Sequence, residues 1–244
     1  MTTIPKELIL ALIPARSGSK GVPRKNVKNL CGLPLIAYTL QEAKKSKYIG
    51  RIVVSTDNRD IATIAQTYGA EIPFMRPLEL AQDNVAEIAV IQHALQWMQE
   101  NENYTPEIVV VLRATAPLKK THHIDEAISL LIHHEDADSV RSVTVARQHP
   151  LKTWRVIDRR LIPFVTENAY GISEAYNCPR QQLPKAYIQN GAIDVIRLAT
   201  LIEKKSLTGD VILPYIMEEK DSINIDSVFD FEEAERLLKA TAKS

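Results

Sequence analysis

Short, nearly continuous apolar runs alternate with longer amphipathic stretches along the first 146 residues. The runs are rich in Val, Ile and Leu, and they occupy residues 8–14, 51–55, 107–112 and 139–146. A strand that is buried on both faces of a parallel sheet has this pattern. We therefore predict four strands here, and apolar character that returns at 187–196 and 211–217 marks the later part of the same sheet.

The stretches between these runs repeat their apolar positions at helical spacing. They predict helices over 35–46, 60–68, 85–98 and 122–134, and a closing helix over 229–240. Asn84 or Asp83 is the expected N-cap of the third helix, with Glu87 as a capping-box partner, and Thr121 is the expected N-cap of the fourth. Strands that alternate with helices predict right-handed crossovers and a layered α/β fold.

The pattern of apolar and polar residues changes between residues 147 and 186, where prolines interrupt short apolar segments. Residues 152–157 and 161–165 have the pattern of a hairpin around 158–160. This stretch does not continue the strand–helix alternation. We therefore predict one domain over residues 1–244, with a small lobe at about 147–186.

Composition excludes several classes of protein. The chain has 244 residues with 30 Lys+Arg and 30 Asp+Glu, so a net charge of zero argues against a nucleic-acid binder. No apolar run approaches the roughly 18 residues that a membrane helix needs. The two cysteines are far apart in sequence, which favours free thiols in a reducing compartment, and we expect a cytoplasmic protein.

The segment after the first strand carries the strongest chemical signal. Residues 8–41 contain no acidic residue, yet five cations lie among glycines and serines there: Arg16, Lys20, Arg24, Lys25 and Lys28. Small residues let a ligand approach the backbone, and cations beyond the carboxyl end of a parallel strand suit an anion. The alternative is a solvated basic loop. The segment matches neither the Walker pattern nor G-x-G-x-x-G, and we expect it to bind a polyphosphate.

Several segments, in one order along the chain, carry a resemblance to a known family. They are ARSGSKGVPRKN at 15–26, VSTD at 54–57, RPLELAQD at 76–83, HPLKT at 149–153, PRQQLP at 179–184, QNGAI at 189–193 and SINID at 222–226. Together they resemble the CMP-sialic acid synthetases, or acylneuraminate cytidylyltransferases. The resemblance spans nearly the whole chain.

The resemblance implies an enzyme that joins CTP to a nonulosonic acid such as N-acetylneuraminate, giving a CMP-sugar for glycan assembly and pyrophosphate. It implies a Rossmann-like nucleotide-sugar transferase fold with a mainly parallel sheet, and it makes the lobe at 147–186 a dimerisation lobe. It also implies Mg²⁺ or another divalent cation. The expected partners are CTP, a sugar acid and a second copy of the chain, with a tetramer as a further arrangement.

The resemblance also implies site residues. The nucleotide-binding residues are expected to be Arg16, Ser19, Lys20, Lys25, Asn26 and Arg76. Lys25, on the α-phosphate, Arg16 and Asp226 are the expected catalytic residues. Lys152 and Arg180 of the lobe are expected to reach the triphosphate across the dimer interface.

Departures from the family pattern fall on the metal and sugar sites. Asp226 matches a metal-binding aspartate of the family. The second expected metal ligand is Asn224, whose amide oxygen can bind a cation but carries no charge. The alternative is that Asn224 lies outside the metal's ligands. The expected sugar-binding residues are Arg113, Gln189, Asn190 and Asp194. Of these, Arg113 and Asp194 depart from the family pattern.

An aromatic pair of some family members corresponds to Leu207 and Thr208. These departures leave the sugar open, so the same chemistry on legionaminate, pseudaminate or another 2-keto-3-deoxy sugar acid is the alternative. Asn224 also motivates a third hypothesis, a nucleotide-binding protein without catalysis.

Overall fold

A computed structural model describes residues 4–165 and 170–241, so residues 166–169 of the predicted lobe lie outside the description. The strands are β1 (Ile9–Pro14), β2 (Asn29–Leu30), β3 (Leu33–Pro34), β4 (Arg51–Ser55), β5 (Ile108–Leu112), β6 (Ser139–Val145), β7 (Trp154–Ile157), β8 (Arg160–Pro163), β9 (Tyr187–Arg197) and β10 (Ile212–Ile216). The helices are α1 (Leu35–Lys45), α2 (Arg59–Thr67), α3 (Glu87–Glu102), α4 (Thr121–Ile132), α5 (Leu198–Ile202) and α6 (Val228–Thr241).

Six strands form one central sheet in the order β10-β6-β9-β5-β1-β4. Every neighbouring pair is parallel except those of β9, which runs antiparallel to both β5 and β6. The predicted α/β fold with a mainly parallel sheet is therefore confirmed. The carboxyl ends of β1, β4 and β5 meet at one edge, where α/β folds commonly bind ligands.

The two faces of the sheet pack against different helices. Ile9, Ala11 and Ile13 of β1 belong to a core with side chains of α1, α2 and α4, whereas Leu10 and Leu12 pack with α3. Because both faces are covered, β1 and β5 are apolar at successive positions, as the sequence pattern predicted.

Two predicted helix caps are wrong. The N-cap of α3 is Ala86, which makes no side-chain cap bond, because Asp83 pairs with cations of the basic loop and Glu87 with Arg113. The N-cap of α4 is Lys120. Thr121 is instead the first helical residue, and both its amide and its hydroxyl bond to Glu42 of α1. Tertiary ion pairs thus replace the predicted cap of α3, whereas at α4 Nδ1 of His123 accepts from the Lys120 amide as a local cap.

The described part of the predicted lobe contains the β7–β8 hairpin and two short 3-10 helices, Pro150–Lys152 and Arg180–Gln182, beside a small core of Leu151, Ala175 and Leu183. Several of its apolar side chains are exposed, among them Val156 and Leu161. The lobe therefore buries much less apolar surface than the central sheet. Among the described residues, no helix has the length and apolarity to cross a membrane.

Candidate active site

A cavity of about 380 Å³ opens at the edge where β1 and β5 end. Its walls are the basic loop (residues 15–26), Arg76, the segment 80–90 at the start of α3, residues 113–115 after β5, and Asp226. The predicted residues that line it are Arg16, Ser19, Lys20, Lys25, Asn26, Arg76, Arg113 and Asp226. Residues far apart in sequence therefore meet around one polar cavity.

The basic loop is held by close backbone packing and by an aspartate of the neighbouring strand. A side chain at Gly21 would lie 1.8 Å from the carbonyl oxygen of Asp226, so only glycine fits there. The amide and the hydroxyl of Ser17 both donate to Asp57, just after β4. Asn26 donates its Nδ2 to the carbonyl of Arg16 at 2.9 Å. The loop is therefore fixed at both ends before any ligand binds.

Two cations of the basic loop share one carboxylate. Arg16 Nη2 and Lys20 Nζ each lie 2.6 Å from Asp83, and these hydrogen bonds lower the pKa of that carboxyl. The side chains of Lys20 and Asp83 are 84% and 44% exposed, so water weakens the pairing. An anionic ligand in the cavity can therefore replace Asp83 at small energetic cost.

Lys25, near the end of the basic loop, has only 11% of its side chain exposed. Its Nζ donates to the carbonyl oxygen of Ile225 and lies 3.3 Å from Asp226 Oδ1. The Asp226 carboxylate is 71% exposed and also accepts from Asn224 Nδ2 at 2.7 Å. An ammonium and an accessible carboxylate thus stand side by side at the cavity wall.

The donors around Asp226 fit a magnesium ion that keeps phosphate and water ligands. Asn224 Oδ1 is buried and has no hydrogen-bond partner, whereas its Nδ2 faces Asp226. Rotation of this amide by 180° would direct its unpartnered oxygen toward the carboxylate, so that both oxygens could face one cation. Asp230, which is close to Asp226 in sequence, accepts from the amide and hydroxyl of Ser227 at the start of α6. Among the described residues, no cluster of three or more His, Cys, Asp or Glu forms a metal site.

Arg76 is a buried cation at the back of the cavity. Its Nε donates to Ser55 Oγ at 3.0 Å and its Nη2 to the Ser55 carbonyl. Burial, together with the nearby Arg16, lowers the pKa of Arg76 to about 10, which still leaves it charged at neutral pH. Its fixed charge contributes to the positive potential of the cavity.

A network of two arginines and two carboxylates borders the other side of the cavity. Arg113 donates to Glu87 through Nε and Nη2, and to Asp194 through Nη1 at 2.8 Å. Asp194 is 3% exposed, and its second oxygen accepts from Arg141 Nε at 2.7 Å. Both oxygens of Asp194 are therefore occupied, and the carboxylate acts by orienting the two guanidinium groups.

The structure does not bring every predicted residue to the cavity. Asn190 is buried, and its amide bonds Ser142, Ala192 and Ser222, while Gln189 is exposed on β9. In the single chain, Lys152 donates to carbonyls of Tyr176 and Cys178, and Arg180 to those of Ala146 and Arg147. Neither lobe cation lines the cavity of its own chain.

Four residues with polar contacts in or beside the cavity were missed as site residues in the sequence: Asp57, Asp83, Glu87 and Arg141. The first two end segments that carried the family resemblance, so their position was a signal. Glu87 was read as a helix cap, and Arg141 lies in the middle of an otherwise ordinary strand. Only the pairing of strands places Arg141 beside Asp194.

Comparison with known proteins identifies the family to which the chain belongs. The model of a family described as "Cytidylyltransferase" matches residues 10–160 of the chain. This chain is a member of the cytidylyltransferase family. It is therefore a nucleotidyltransferase, and the resemblance predicted from the ordered sequence segments is confirmed.

Relatives of this cytidylyltransferase include enzymes named for acylneuraminic and legionaminic acids. It is 34% identical to the N-acylneuraminate cytidylyltransferase of Escherichia coli, over 92% of this chain and 50% of that protein. It is 33% identical to the CMP-N,N'-diacetyllegionaminic acid synthase of Campylobacter jejuni, over 94% of both chains. It is 32% identical to a post-translational flagellin modification protein B of Campylobacter coli, over 95% of both.

The fold of this chain also resembles that of a solved cytidylyltransferase-type enzyme. A solved CMP:2-keto-3-deoxy-manno-octonic acid synthetase complexed with CTP superposes with a TM-score of 0.68, over 96% of this chain and 99% of that one. The two sequences are 15% identical, so this likeness concerns the fold alone. The cytidylyltransferase thus shares its architecture with an enzyme that was solved with CTP bound.

Proposed function

We propose that this cytidylyltransferase joins CTP to a nonulosonic acid, giving a CMP-sugar and pyrophosphate. The observation that carries the proposal is the cavity at the ends of β1 and β5, where Arg16, Lys20 and Lys25 surround space for a polyphosphate. The relatives named for acylneuraminic and legionaminic acids support the class of sugar.

In the proposed reaction, the anomeric hydroxyl oxygen of the sugar acid bonds to the α-phosphorus of CTP. The bond from that phosphorus to the bridging oxygen breaks, pyrophosphate leaves, and the hydroxyl proton is released. Such a transfer depends on positioning and on neutralisation of phosphate charge. Lys25 is assigned to the α-phosphate because its ammonium is held rigidly at the wall. Arg16 and Lys20 leave Asp83 for the outer phosphates.

Asp226 and Asn224 are the residues proposed to bind a divalent cation, Mg²⁺ or another ion of that charge. Magnesium is usually held by one or two protein carboxylates together with phosphate oxygens and water, and one carboxylate with one amide oxygen fits that habit. When bound, the cation supplies charge neutralisation at the phosphates. The role of these residues is to hold it beside Lys25.

The sugar acid is assigned to the side of the cavity that Arg113 borders. Arg113 is already oriented by Glu87 and Asp194, and it offers its remaining N–H groups to a carboxylate or hydroxyl. Asp194 and Asn190 act by positioning, because their polar atoms bond within the protein, whereas exposed Gln189 remains a candidate contact. The alternative, the same chemistry on legionaminate, pseudaminate or another 2-keto-3-deoxy sugar acid, fits this polar wall as well as N-acetylneuraminate does.

We assign the lobe to dimerisation. Its exposed apolar side chains, Val156 (74%) and Leu161 (65%) among them, are the kind of surface that a second copy covers. In such a dimer, Lys152 and Arg180 are the cations proposed to face the partner's triphosphate. The free thiols of Cys31 and Cys178 are consistent with work in the cytoplasm.

The decisive experiment measures pyrophosphate release from CTP and Mg²⁺ with N-acetylneuraminate, legionaminate and pseudaminate in parallel. Release with one acid names the substrate. Binding of CTP without release for any of the three would reject a nonulosonate of this set and would favour another sugar acid or a binding protein. Sedimentation of wild type against Val156→Lys tests the dimer in the same preparation, and a monomeric wild type would reject it.

A further inference from the structure

Lys119 is a lysine with no access to solvent, and it does not line the active-site cavity. It lies in the loop of residues 113–120 between β5 and α4, and it is 0% exposed. Among the described residues, no carboxylate lies within salt-bridge distance of its ammonium. Burying an unneutralised charge is costly, so a fold retains one only where hydrogen bonds compensate.

Three acceptors meet the ammonium of Lys119. They are the carbonyl oxygens of Ala116 at 2.6 Å and Arg113 at 2.8 Å, and Thr39 Oγ1 of α1 at 2.8 Å. An ammonium has three N–H donors, so each donor has one partner. Two of the three partners belong to the loop itself, and Lys119 therefore fixes its curvature from within.

The loop that Lys119 fixes is a wall of the active-site cavity. Arg113, Ala114 and Thr115 line the cavity, and the carbonyl of Thr115 accepts from the amide of Ile225 at 2.8 Å. The carbonyl of Ile225 in turn accepts from the ammonium of Lys25. A chain of hydrogen bonds, linked by the backbone of the loop and of Ile225, thus runs from Lys119 to Lys25 and to the backbone just before Asp226.

We propose that Lys119 is a positioning residue of the reaction, which sets the loop of residues 113–118 so that Ile225 holds Lys25 at the reacting phosphate. Lys119 touches no substrate, and its effect passes through Thr115 and Ile225. The proposal rests on the proposed function only for its kinetic readout. The hydrogen-bond chain itself is tested without any sugar acid.

Burial explains why this lysine is sensitive to its surroundings. Burial, together with the guanidinium of Arg113, lowers the pKa of Lys119 to about 7, while the carboxylate of Glu42 on α1 opposes the shift. The neutral amine has only two donors for the three acceptors. The complete set of three contacts therefore belongs to the protonated form.

The test compares Lys119→Met with Thr39→Val, a control that removes the acceptor on α1 and the 3.5 Å bond from Thr39 Oγ1 to the Arg113 carbonyl, but leaves both loop carbonyls to Lys119. If Lys119 positions Lys25 through the loop, Lys119→Met lowers kcat about 10- to 100-fold, because misplacement by about 1 Å has effects of that size. The KM for CTP then changes less than kcat, and Thr39→Val keeps kcat within about threefold. Should Lys119→Met not fold, Lys119→Gln, which keeps two N–H donors, takes its place.

A second readout does not depend on turnover. Hydrogen exchange at the Ile225 amide should accelerate about tenfold or more in Lys119→Met, while the Val110 amide of β5 keeps its wild-type rate. Equal kcat in wild type and Lys119→Met, equal losses in both variants, or unchanged exchange at Ile225 would each overturn the proposal. If the wild type turns over no sugar acid, the proposed function fails, and the exchange measurement still decides the role of Lys119.

Discussion

The two sides of the cavity handle charge in opposite ways. On the nucleotide side, Lys20 and Arg16 pair with Asp83, whose side chain is 44% exposed. On the opposite side, Arg113 and Arg141 pair with Asp194, which is 3% exposed. Exposed pairs are weak and exchange readily with another anion, whereas buried pairs are rigid and costly to break.

This difference suggests a division of labour between the two walls. The nucleotide wall keeps its cations available, because a triphosphate supplies more negative charge than the carboxylate it displaces. The wall around Arg113 is organised before binding, because a sugar acid brings little charge and must be recognised by the direction of its hydrogen bonds. Variants that exchange or remove these features should therefore have different signatures on the two sides.

The largest effect is expected at Lys25. Lys25→Met removes the rigid charge beside the reacting phosphate but keeps the side-chain stem, so pyrophosphate release should fall about 10³-fold with little change in thermal stability. Arg24→Gln is the matched control, because Arg24 belongs to the same loop but pairs with exposed Asp60 outside the cavity. Turnover by Lys25→Met close to that of wild type would remove Lys25 from the catalytic residues.

The second largest effect is expected from breaking the buried ion pairs of the wall around Arg113. Asp194→Asn leaves two partly buried guanidinium groups without their shared carboxylate, and we expect a loss of about 2 kcal/mol in the free energy of unfolding. The melting temperature should fall by about 4–8 °C, and the KM for the sugar acid should rise more than the KM for CTP. Asp60→Asn, which breaks an exposed pair, should leave both quantities near wild type. A rise confined to the KM for CTP would contradict the division of labour.

The same contrast explains what could be predicted from the sequence. The basic loop was found because its cations, glycines and serines are neighbours in the chain, and the strands because both faces of the sheet are covered. The Arg113 network was not found as a network. In the sequence, Arg113 is 26 residues from Glu87 and 81 residues from Asp194, and Asp194 is 53 residues from Arg141. Only the strand register that aligns Asp194 with Val111 and with Arg141 brings them together.

A smaller effect is expected at the metal residues. Asn224→Asp adds a carboxylate beside Asp226, so the Mg²⁺ concentration that gives half-maximal activity should fall about tenfold. Titration of activity with Mg²⁺ at saturating CTP measures it. Ser222→Ala, which alters a neighbouring hydroxyl bonded to Asn190, is the control. An unchanged Mg²⁺ requirement in Asn224→Asp would place residue 224 outside the metal's ligands.

The smallest effect concerns the exchangeable pair itself. Asp83→Asn frees Arg16 and Lys20 from their shared carboxylate, so CTP should bind more tightly, by only about two- to fivefold, because water already weakens an exposed pair. The gain should shrink as salt is added, since the liberated charges are screened, and thermal stability should stay near wild type. Calorimetric titration with CTP at low and high salt measures the affinity and its dependence on salt. Weaker binding by Asp83→Asn would mean that Asp83 holds the two cations in place for the nucleotide, so that the nucleotide wall, like the wall around Arg113, is organised in advance.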